Sequence, residues 1–193
     1  MDSVLFITPR LKIRNLRESD LEAFHAYRSN PEITKYQGFN TFNKEQAKSF
    51  ITEHKNKLHI YPGEWIQYGI ENISSQELVG DCAIYLHQSD SRIAETGITI
   101  SHLHHRKGYA RETMLGLMNF LFQEKGIHRI IETVDAENLA SIQLFKSLSF
   151  RQEAHFLENI YYKGKWGSEY QFAMLKKEWR PPVYPNSYIN DTK

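Results

Sequence analysis

The chain has 193 residues, of which 40% are hydrophobic, and its formal net charge is +1. This length and composition suit one globular domain with a sizeable core. The small net charge excludes an overall positive charge of the kind that attracts nucleic acid or an anionic membrane. The single cysteine, Cys82, excludes an internal disulfide and a cysteine-rich zinc site and fits a reducing compartment. Because the N-terminal apolar run is too short for a signal peptide and no stretch is long enough to span a bilayer, we expect a cytoplasmic protein.

Hydrophobic periodicity and capping signals predict mixed α and β structure along the chain. Alternating apolar and polar residues indicate a strand over 11–17, and Ser19 and Glu22 have the spacing of a capping box that begins a helix. Asn43 and Gln46 repeat that signal before a second helix. Further strands are predicted over 64–71, 77–86, 92–100, 128–134, 155–162 and 168–179, with helices over 110–126, ending at Gly126, and over 138–150, capped by Asn138.

The domain organisation follows from what the chain lacks. It has no internal repeat, low-complexity block or convincing linker, so residues 1–180 are predicted to form a single domain. Residues 181–193 are rich in proline, asparagine and tyrosine, and we expect them to form an arm or a disordered end.

The stretch 104–114, HHRKGYARETM, lies between a predicted strand and a predicted helix. A helix N-terminus presents unpaired backbone N–H groups and the positive end of the helix dipole, and Gly108 lacks the side chain that would keep a phosphate away from that backbone. Arg106, Lys107 and Arg111 add cations at a point where the dipole disfavours them unless an anion neutralises them. The residue chemistry alone leaves two alternatives open, an anion-binding cradle and an ordinary solvated loop.

A metal cluster is the third alternative for this stretch, built on His102, His104 and His105. No acidic or cysteine partner lies nearby in the sequence, and the adjacent cations would repel a metal ion. We therefore expect no metal site.

The order of these motifs resembles the GNAT superfamily of acyl-CoA-dependent N-acetyltransferases. Residues 105–110, His-Arg-Lys-Gly-Tyr-Ala, resemble its pyrophosphate-binding pattern Gln/Arg-x-x-Gly-x-Gly/Ala, with His105 where Gln or Arg is usual. Residues 138–150, NLASIQLFKSLSF, are similar to its Asn-x-x-Ala/Ser…Leu-Gly-Phe segment, with Ser149 in place of the usual glycine. The segments TPRLKIRNLRESDLEAF and ETGITI resemble the RimJ/RimL-like branch, whose named members acetylate the N-termini of ribosomal proteins.

The resemblance implies an α/β (α+β) fold with a central mixed, mostly antiparallel sheet and helices on both faces. Strands 92–100 and 128–134 would be a parallel pair that splays apart at its C-terminal ends. The resemblance also implies acetyl-CoA (coenzyme A) as the cofactor, with the pantetheine arm pairing like a strand with the first of these strands and the pyrophosphate on the N–H groups of residues 106–111. The implied cofactor-binding residues are Ile98, Thr99, Ile100, His105, Arg106, Lys107, Gly108, Tyr109, Ala110, Arg111, Asn138, Ser141 and Phe145.

Acetyl transfer from a thioester needs a neutral amine, a stabilised oxyanion and a proton or tolerable charge on the leaving thiolate. On the implied fold we expect Glu95 to be the base, directly or through water, with Glu71 and Asp81 as substitutes. The alternative for Glu95 is a surface glutamate in a salt bridge. Asn138 would contact the pantetheine or the acetyl group, and it is in any case expected to cap its helix.

The acid is where this chain departs from many relatives, which use a tyrosine seven residues after the asparagine. That position is Phe145 here, which has no proton to give. The resemblance to the RimL-like branch implies that Ser141, three residues after the asparagine, takes the role instead. The alternative for Ser141 is a residue of the first helical turn that bonds to the backbone.

The acceptor cleft is expected to include Tyr36, Phe39, Trp65 and Tyr162, with Tyr161 and Trp166 as further candidates, unless these aromatic side chains belong to the core. The expected partner is an amine acceptor, either a peptide N-terminus or a small amine. No nucleic-acid or membrane partner is expected, and a homodimer is compatible with the resemblance. Two other functions stay open: a catalytically degenerate acyl-CoA-binding module, and an interaction protein that keeps only the fold.

Overall fold

The computed structural model describes residues 3–57 and 59–182. Eight strands form one sheet in the order β1-β2-β3-β4-β5-β6-β8-β7. The strands are β1 Val4–Ile7, β2 Leu11–Asn15, β3 Trp65–Asn72, β4 Leu78–Leu86, β5 Ile93–Ile100, β6 Arg129–Asp135, β7 Arg151–Tyr162 and β8 Lys165–Leu175. The helices are α1 Leu21–Arg28, α2 Pro31–Thr34, α3 Lys44–His54, α4 Tyr109–Asn119 and α5 Leu139–Ser147.

The sheet contains one parallel pair, formed by β5 and β6, and its other neighbouring strands are antiparallel. The parallel ladder is short, because it pairs Ile93 with Arg129 at its start and ends where Glu95 pairs with Ile131. Both strands continue past this point, β5 to Ile100 and β6 to Asp135, with no further pairing between them in the described chain. The predicted mixed sheet with a splayed parallel pair is confirmed, and its opening begins directly after Glu95.

Helices cover both faces of the sheet. On one face α4 and α5 pack on the larger core, which contains Tyr68, Met114, Leu117 and Phe172. On the other face α1 and α3 enclose a smaller cluster around Phe24, Tyr27 and Ile51. Each large apolar side chain that is fully buried contributes about 1.5–3 kcal/mol relative to an exposed one, so these two layers hold the parallel pair in place.

The helix starts show which capping signals operate. The Asn43 side chain accepts from Gln46 N at 2.8 Å and Gln46 Oε1 accepts from Asn43 N at 2.8 Å, so the predicted capping box is confirmed. The box predicted for Ser19 and Glu22 is wrong, because α1 begins at Leu21 after a tight turn over Glu18–Asp20. The reason is the Asp20 carboxylate, which accepts the Arg17 backbone N–H at 2.7 Å and leaves no capping role for Ser19.

Other boundaries differ from the predictions by a few residues. The helix predicted to reach Gly126 ends as α4 at Asn119 and continues as a π-helical turn over Phe120–Glu124. Strand β7 begins at Arg151, earlier than predicted, and the two short elements β1 and α2 were not predicted. Residues 183–193, most of the predicted tail, lie outside the described residues. The single domain over 1–180 remains a prediction.

Ser149 occupies a left-handed backbone conformation, with φ of 65°, directly after Leu148, the C-cap residue of α5. Left-handed backbone costs an L-residue about 1–2 kcal/mol that glycine avoids. We therefore expect Ser149→Gly to stabilise the fold by about 1 kcal/mol and to raise Tm by roughly 2–4 °C in thermal unfolding. Ser149→Ala is the control and should bring no gain. An unchanged or lower Tm for Ser149→Gly would show that this conformation carries no strain.

Candidate functional site

The loop before α4 has the geometry of an anion cradle. Gly108 is the N-cap residue of α4 and has a left-handed conformation, with φ of 79°, which favours glycine. No side chain caps this helix end, so the first backbone N–H groups, those of Tyr109 to Arg111, have no intrahelical acceptor. A Cβ on Gly108 would lie 3.4 Å from Nη2 of Arg10, so a side chain here would enter the space between the loop and that cation.

The predicted cations surround this helix end and are exposed. Arg106 and Arg111 form no salt bridge with any residue that the structure describes, which leaves their charges available to a ligand. The Lys107 Nζ atom lies 3.3 Å from His104 Nδ1, and burial together with the Lys107 charge lowers the pKa of the His104 imidazole. Such a cluster of uncompensated cations at a positive helix end favours an anion.

Arg10 is a cation of this site that sequence reasoning missed. Its guanidinium donates to the Lys107 carbonyl oxygen at 3.0 Å and to Glu112 Oε2 at 2.7 Å, and it stacks over the Tyr109 ring at 4.9 Å from the centroid. The Tyr109 hydroxyl in turn accepts from Asn72 Nδ2 at 2.9 Å. These contacts tie the β1–β2 turn to the first turn of α4, and only the fold brings them together.

His105 forms two contacts within the loop. Its Nε2 atom lies 2.9 Å from the Ile100 carbonyl oxygen, and its backbone N–H points to the His102 carbonyl oxygen at 3.4 Å. Both groups thus have partners inside the loop. The expected contact between His105 and the cofactor stays a prediction.

Strand β5 presents a free edge beside the cradle. Ile98, Thr99 and Ile100 pair with β4 on one side, and past Glu95 the other side of β5 has no strand partner among the residues that the structure describes. The close pairing with β4 requires Gly80, because a Cβ there would lie 2.2 Å from the Thr99 carbonyl oxygen. An extended chain can add to such an edge by backbone hydrogen bonds.

Glu95 lies at the end of the ladder in a row of side chains that crosses three strands. Trp65 pairs with Tyr85 and Tyr85 with Glu95, and the Trp65 and Tyr85 rings stack with centroids 5.2 Å apart. The Glu95 Oε1 atom lies 2.7 Å from Nε2 of His87. A Cβ on Gly97 would lie 3.9 Å from the Trp65 ring, so the indole covers β5 directly beside Glu95.

Tyr85 and His87 were missed by sequence reasoning. The alternation of residues along β4 puts Tyr85 on the same face as Glu95, but only the observed register makes them neighbours. The row combines a half-buried carboxylate with two aromatic faces, which is a suitable environment for an amine.

Glu71, the first substitute for the base, is committed to an ion-pair cluster. Its carboxylate accepts from Lys12 at 2.7 Å, Arg14 at 2.6 Å and Arg17 at 2.7 Å. Burial opposes the charge, but the hydrogen bonds from Lys12 and Arg14 and the nearby positive charges lower the pKa of Glu71 to about 2. A carboxylate held in this way is a poor base, so the prediction that Glu71 replaces Glu95 is wrong.

Asp81, the second substitute, is fully buried. It accepts from the Tyr27 hydroxyl at 2.6 Å and from Arg28 Nε at 3.0 Å, and it also accepts from Gln67 Nε2. Its relative exposure is 0%, so no amine reaches it, and this prediction is wrong as well.

The start of α5 presents the expected polar groups. Asn138 caps the helix by accepting from Ser141 N at 3.2 Å, which confirms the predicted cap. Within the described chain, neither the Asn138 Nδ2 group nor the Ser141 hydroxyl forms a hydrogen bond, so both are available to a ligand. Phe145 is 5% exposed and packs against Phe150 and Phe172.

The aromatic residues expected in the acceptor cleft have different surroundings. Phe39 lies over the Arg28 guanidinium at 4.4 Å and packs against Phe42, so it belongs largely to the packing around α1. The Tyr36 ring lies beside Lys35, with 4.9 Å between Nζ and the centroid. Trp65 is 42% exposed and is the cleft candidate nearest to Glu95.

The turn between β7 and β8 reaches across to α2. Lys163 donates to the Thr34 carbonyl oxygen and, at 3.2 Å, to the Lys35 carbonyl oxygen, and Tyr162 donates to Asp135 at the end of β6. These contacts join the hairpin to α2 and β6 on the side of the sheet that carries Glu95. Tyr161 and Trp166 pack edge to face on the same hairpin, and both are exposed.

No helix in the described residues is both long enough and apolar enough to cross a membrane. Across residues 3–57 and 59–182, no group of three or more histidine, cysteine, aspartate and glutamate side chains is arranged to hold a metal ion.

Comparisons with known proteins agree with this geometry. A model described as acetyltransferase (GNAT) domain matches residues 10–151. The chain is 29% identical to the uncharacterized N-acetyltransferase YnaD of Bacillus subtilis, covering 89% of this chain and 97% of that protein. It is 26% identical to the spermidine N(1)-acetyltransferase of Vibrio cholerae, covering 88% and 95%. A solved acetyltransferase of the GNAT family from Bacillus anthracis has a TM-score of 0.81 at 26% identity, covering 92% of this chain and 100% of that chain.

Proposed function

The chain belongs to the acetyltransferase (GNAT) domain family, and on that premise we propose that it moves the acetyl group of acetyl-CoA to a primary amine by direct attack within a ternary complex. Membership of the family makes the chain an acetyltransferase that uses acetyl-CoA and an amine acceptor. The mechanism, the acceptor and the roles of individual residues are our proposal.

One observation carries the proposal: the uncapped start of α4 lies beside the free edge of β5. The N–H groups that follow Gly108, with Arg106, Arg111 and Arg10 around them, suit a pyrophosphate. The edge past Glu95 suits the amides of a pantetheine arm. The residues present therefore fit coenzyme A, which supplies an activated acetyl thioester when bound.

On the acceptor side, we assign the base to Glu95. The carboxylate is half-buried and accessible, and His87 at 2.7 Å orients it. The faces of Trp65 and Tyr85 would hold the cationic form of the amine by cation–π attraction before it loses its proton. Glu95 then accepts that proton directly or through water, and the neutral nitrogen attacks the thioester carbonyl carbon.

The acceptor is proposed as a primary amine, either a peptide N-terminus or a small amine. The segments 8–24 and 95–100 favour the RimJ/RimL-like branch and hence a peptide, whereas the similarity to a spermidine acetyltransferase favours a small amine. A cytoplasmic location and a homodimer also remain proposals.

The test is free-thiol release from acetyl-CoA across a panel of polyamines, small amines and N-terminal peptides. We expect release that depends on one class of acceptor, with the acetylated product identified by mass spectrometry. Binding of coenzyme A without release in the presence of any acceptor would indicate a degenerate binding module. No binding at all would contradict the assignment of the cradle.

The cradle itself is tested by Gly108→Val. A β-branched residue at φ of 79° is strained and crowds the space facing Arg10, so we expect the Kd for coenzyme A to rise about tenfold or more, which is about 1.4 kcal/mol or more. The matched control is Gly126→Val, because Gly126 has a similar φ of 68° but a Cβ there would meet nothing within 4 Å. Calorimetric titration with coenzyme A should show a loss of affinity for Gly108→Val and none for Gly126→Val. Equal affinities of the two variants would contradict the assignment of this loop as the pyrophosphate site.

A further inference from the structure

A second carboxyl group lies at the opening of the parallel pair, on the opposite face of the sheet from Glu95. Thr96 and Glu132 are the next residues on β5 and β6 after the last backbone pair. The Thr96 hydroxyl donates to Glu132 Oε1, so a side-chain hydrogen bond links the strands where the ladder ends. Glu132 is 4% exposed, and no step described so far uses it.

The surroundings of Glu132 differ from those of the other buried carboxylates. Glu71 and Asp81 are each paired with arginine, whereas Glu132 has no ion pair within the described chain. The groups that face it are the Thr96 hydroxyl from β5 and the Phe172 side chain paired with it on β8.

Helices α4 and α5 contribute Met114 and Phe145 to the surroundings of Glu132. Met114 of α4 has its Sδ atom 3.7 Å from the Thr96 hydroxyl, and Phe145 of α5 stacks on Phe172 with centroids 6.0 Å apart. Glu95 is the only charged residue that acts on Glu132 among the described residues. Burial raises the pKa of the Glu132 carboxyl well above its usual range, the Glu95 charge adds to this rise, and the hydrogen bonds to Thr96 oppose it. Burial without a neighbouring cation therefore favours the neutral carboxylic acid form of Glu132.

We propose that Glu132 supplies the proton to the leaving thiolate, while Glu95 on the other face takes the proton of the attacking amine. This rests on the proposed acetyl transfer. Glu95 is half-buried beside His87, whereas Glu132 is buried without a cation, and two carboxyl groups in such different environments are the arrangement that acid–base catalysis needs. The cradle at Gly108 and the polar groups of Asn138 belong to α4 and α5, which pack on the face that Glu132 occupies.

The step balances in atoms and charge. The nitrogen lone pair forms a C–N bond to the acetyl carbon, the C–S bond breaks, and its electron pair stays on sulfur. Glu95 passes the first proton of the ammonium to water before the attack and is ionised again. Sulfur then takes the proton of Glu132 and becomes the thiol, and the nitrogen gives its second proton to Glu95. After the products leave, Glu95 loses its proton to water and Glu132 regains one. An unassisted serine hydroxyl holds its proton far more tightly than a carboxylic acid, so Ser141 would contact or relay the proton rather than supply it.

The kinetic test uses Glu132→Gln, which keeps the shape and the hydrogen bond to Thr96 but has no acidic proton. We expect kcat to fall about 10²-fold, the lower end for general acids, because a thiolate is a fair leaving group. The affinity for acetyl-CoA should stay unchanged. We also expect the parent's kcat to fall at high pH as Glu132 loses its proton, and this fall should be absent in Glu132→Gln. Ser141→Ala should lose less than Glu132→Gln does. If Ser141→Ala loses more, or if Glu132→Gln turns over at the parent rate, the serine or water is the acid.

A rescue separates chemistry from structure. Phe145→Tyr places a phenolic hydroxyl on α5, and in the Glu132→Gln background it should restore part of kcat, because it offers a new proton donor near Phe172. Phe145→Tyr in the parent background is the reference, and a gain in kcat that is no larger in the Glu132→Gln background than in the parent would indicate a merely structural defect. Failure of the rescue together with weakened binding of acetyl-CoA would assign Glu132 to packing alone.

The pH dependence of the unfolding free energy tests the proposal on the ligand-free protein, without an activity assay. The folded-state pKa of Glu132 lies above its unfolded value, so the stability that it contributes is fully present below the unfolded pKa and is lost as pH rises through the folded pKa. We expect the parent to lose unfolding free energy over that range, and Glu132→Gln to lack this decline. Glu124→Gln, at an exposed position on the π-helical turn, should keep it. If the unfolding free energy has the same pH dependence in all three proteins, the proposal is overturned. This measurement needs no acceptor, so it remains informative even if the thiol-release assay finds none.

Discussion

Glu95→Gln should lower kcat about 10³-fold at neutral pH while leaving the affinity for acetyl-CoA nearly unchanged, as expected for loss of a general base within the usual range of 10²–10⁴. The glutamine keeps the size and the contact with His87, which lies 2.7 Å from the carboxylate, but it cannot accept a proton. The loss should shrink as pH rises, because solvent then supplies more of the neutral amine. Steady-state kinetics over a range of pH, with the acceptor found in the thiol-release panel, measures this directly.

The pH dependence is what distinguishes a base from a residue that only shapes the cleft. Glu77→Gln is the control, since Glu77 is exposed just before β4 and should keep the parent profile. A loss in Glu95→Gln that is constant with pH would assign deprotonation to bulk water. Glu71 and Asp81 are no longer alternatives, because arginine side chains hold both carboxylates in buried ion pairs.

The parts of the site that were predictable from sequence depend on residues close together in the chain. Gly108 begins α4, and Asn138 caps α5 through the N–H three residues ahead, so short-range spacing was enough to identify both helix starts. The splayed pair was expected from the order of strands and loops in the resemblance. The wrong prediction of a capping box at Ser19 also has a local cause. The neighbouring Asp20 carboxylate accepts the Arg17 backbone N–H and so stabilises the turn in place of Ser19.

The parts that were not predictable depend on pairings between distant residues. Arg10 reaches the cradle through Glu112, which lies 102 residues away. Tyr85 becomes a neighbour of Glu95 only through the register of β4 on β5. Glu132 alternates with its neighbours along β6 like any strand residue, and nothing in its sequence context reveals that its face carries no cation. Charges and their partners are set by tertiary structure, so acid and base could not be distinguished from sequence.

Asp81→Asn should destabilise the fold by about 3–5 kcal/mol, because it leaves the buried Arg28 guanidinium without its counter-ion. Arg28 is 3% exposed and Asp81 is 0% exposed, so water cannot replace the lost charge. The pair joins α1 to β4 on the face of the sheet that carries Glu95, where the Phe39 ring covers the guanidinium. Chemical denaturation at constant pH measures the loss, and Glu22→Gln, which removes an exposed ion pair with Lys44, should change stability very little.

A double variant identifies the cause of that loss. If the cost comes from an uncompensated charge, Arg28→Met in the Asp81→Asn background should recover most of the stability, because methionine fills the same aromatic pocket without a charge. If the double variant is as unstable as Asp81→Asn, the cost comes instead from the hydrogen bonds that Tyr27 and Gln67 donate to the carboxylate. The first outcome means that the buried pair fixes the position of α1 while contributing little net stability. In that case the charge pair that holds α1 against β4 can be replaced by an apolar contact at little cost in free energy.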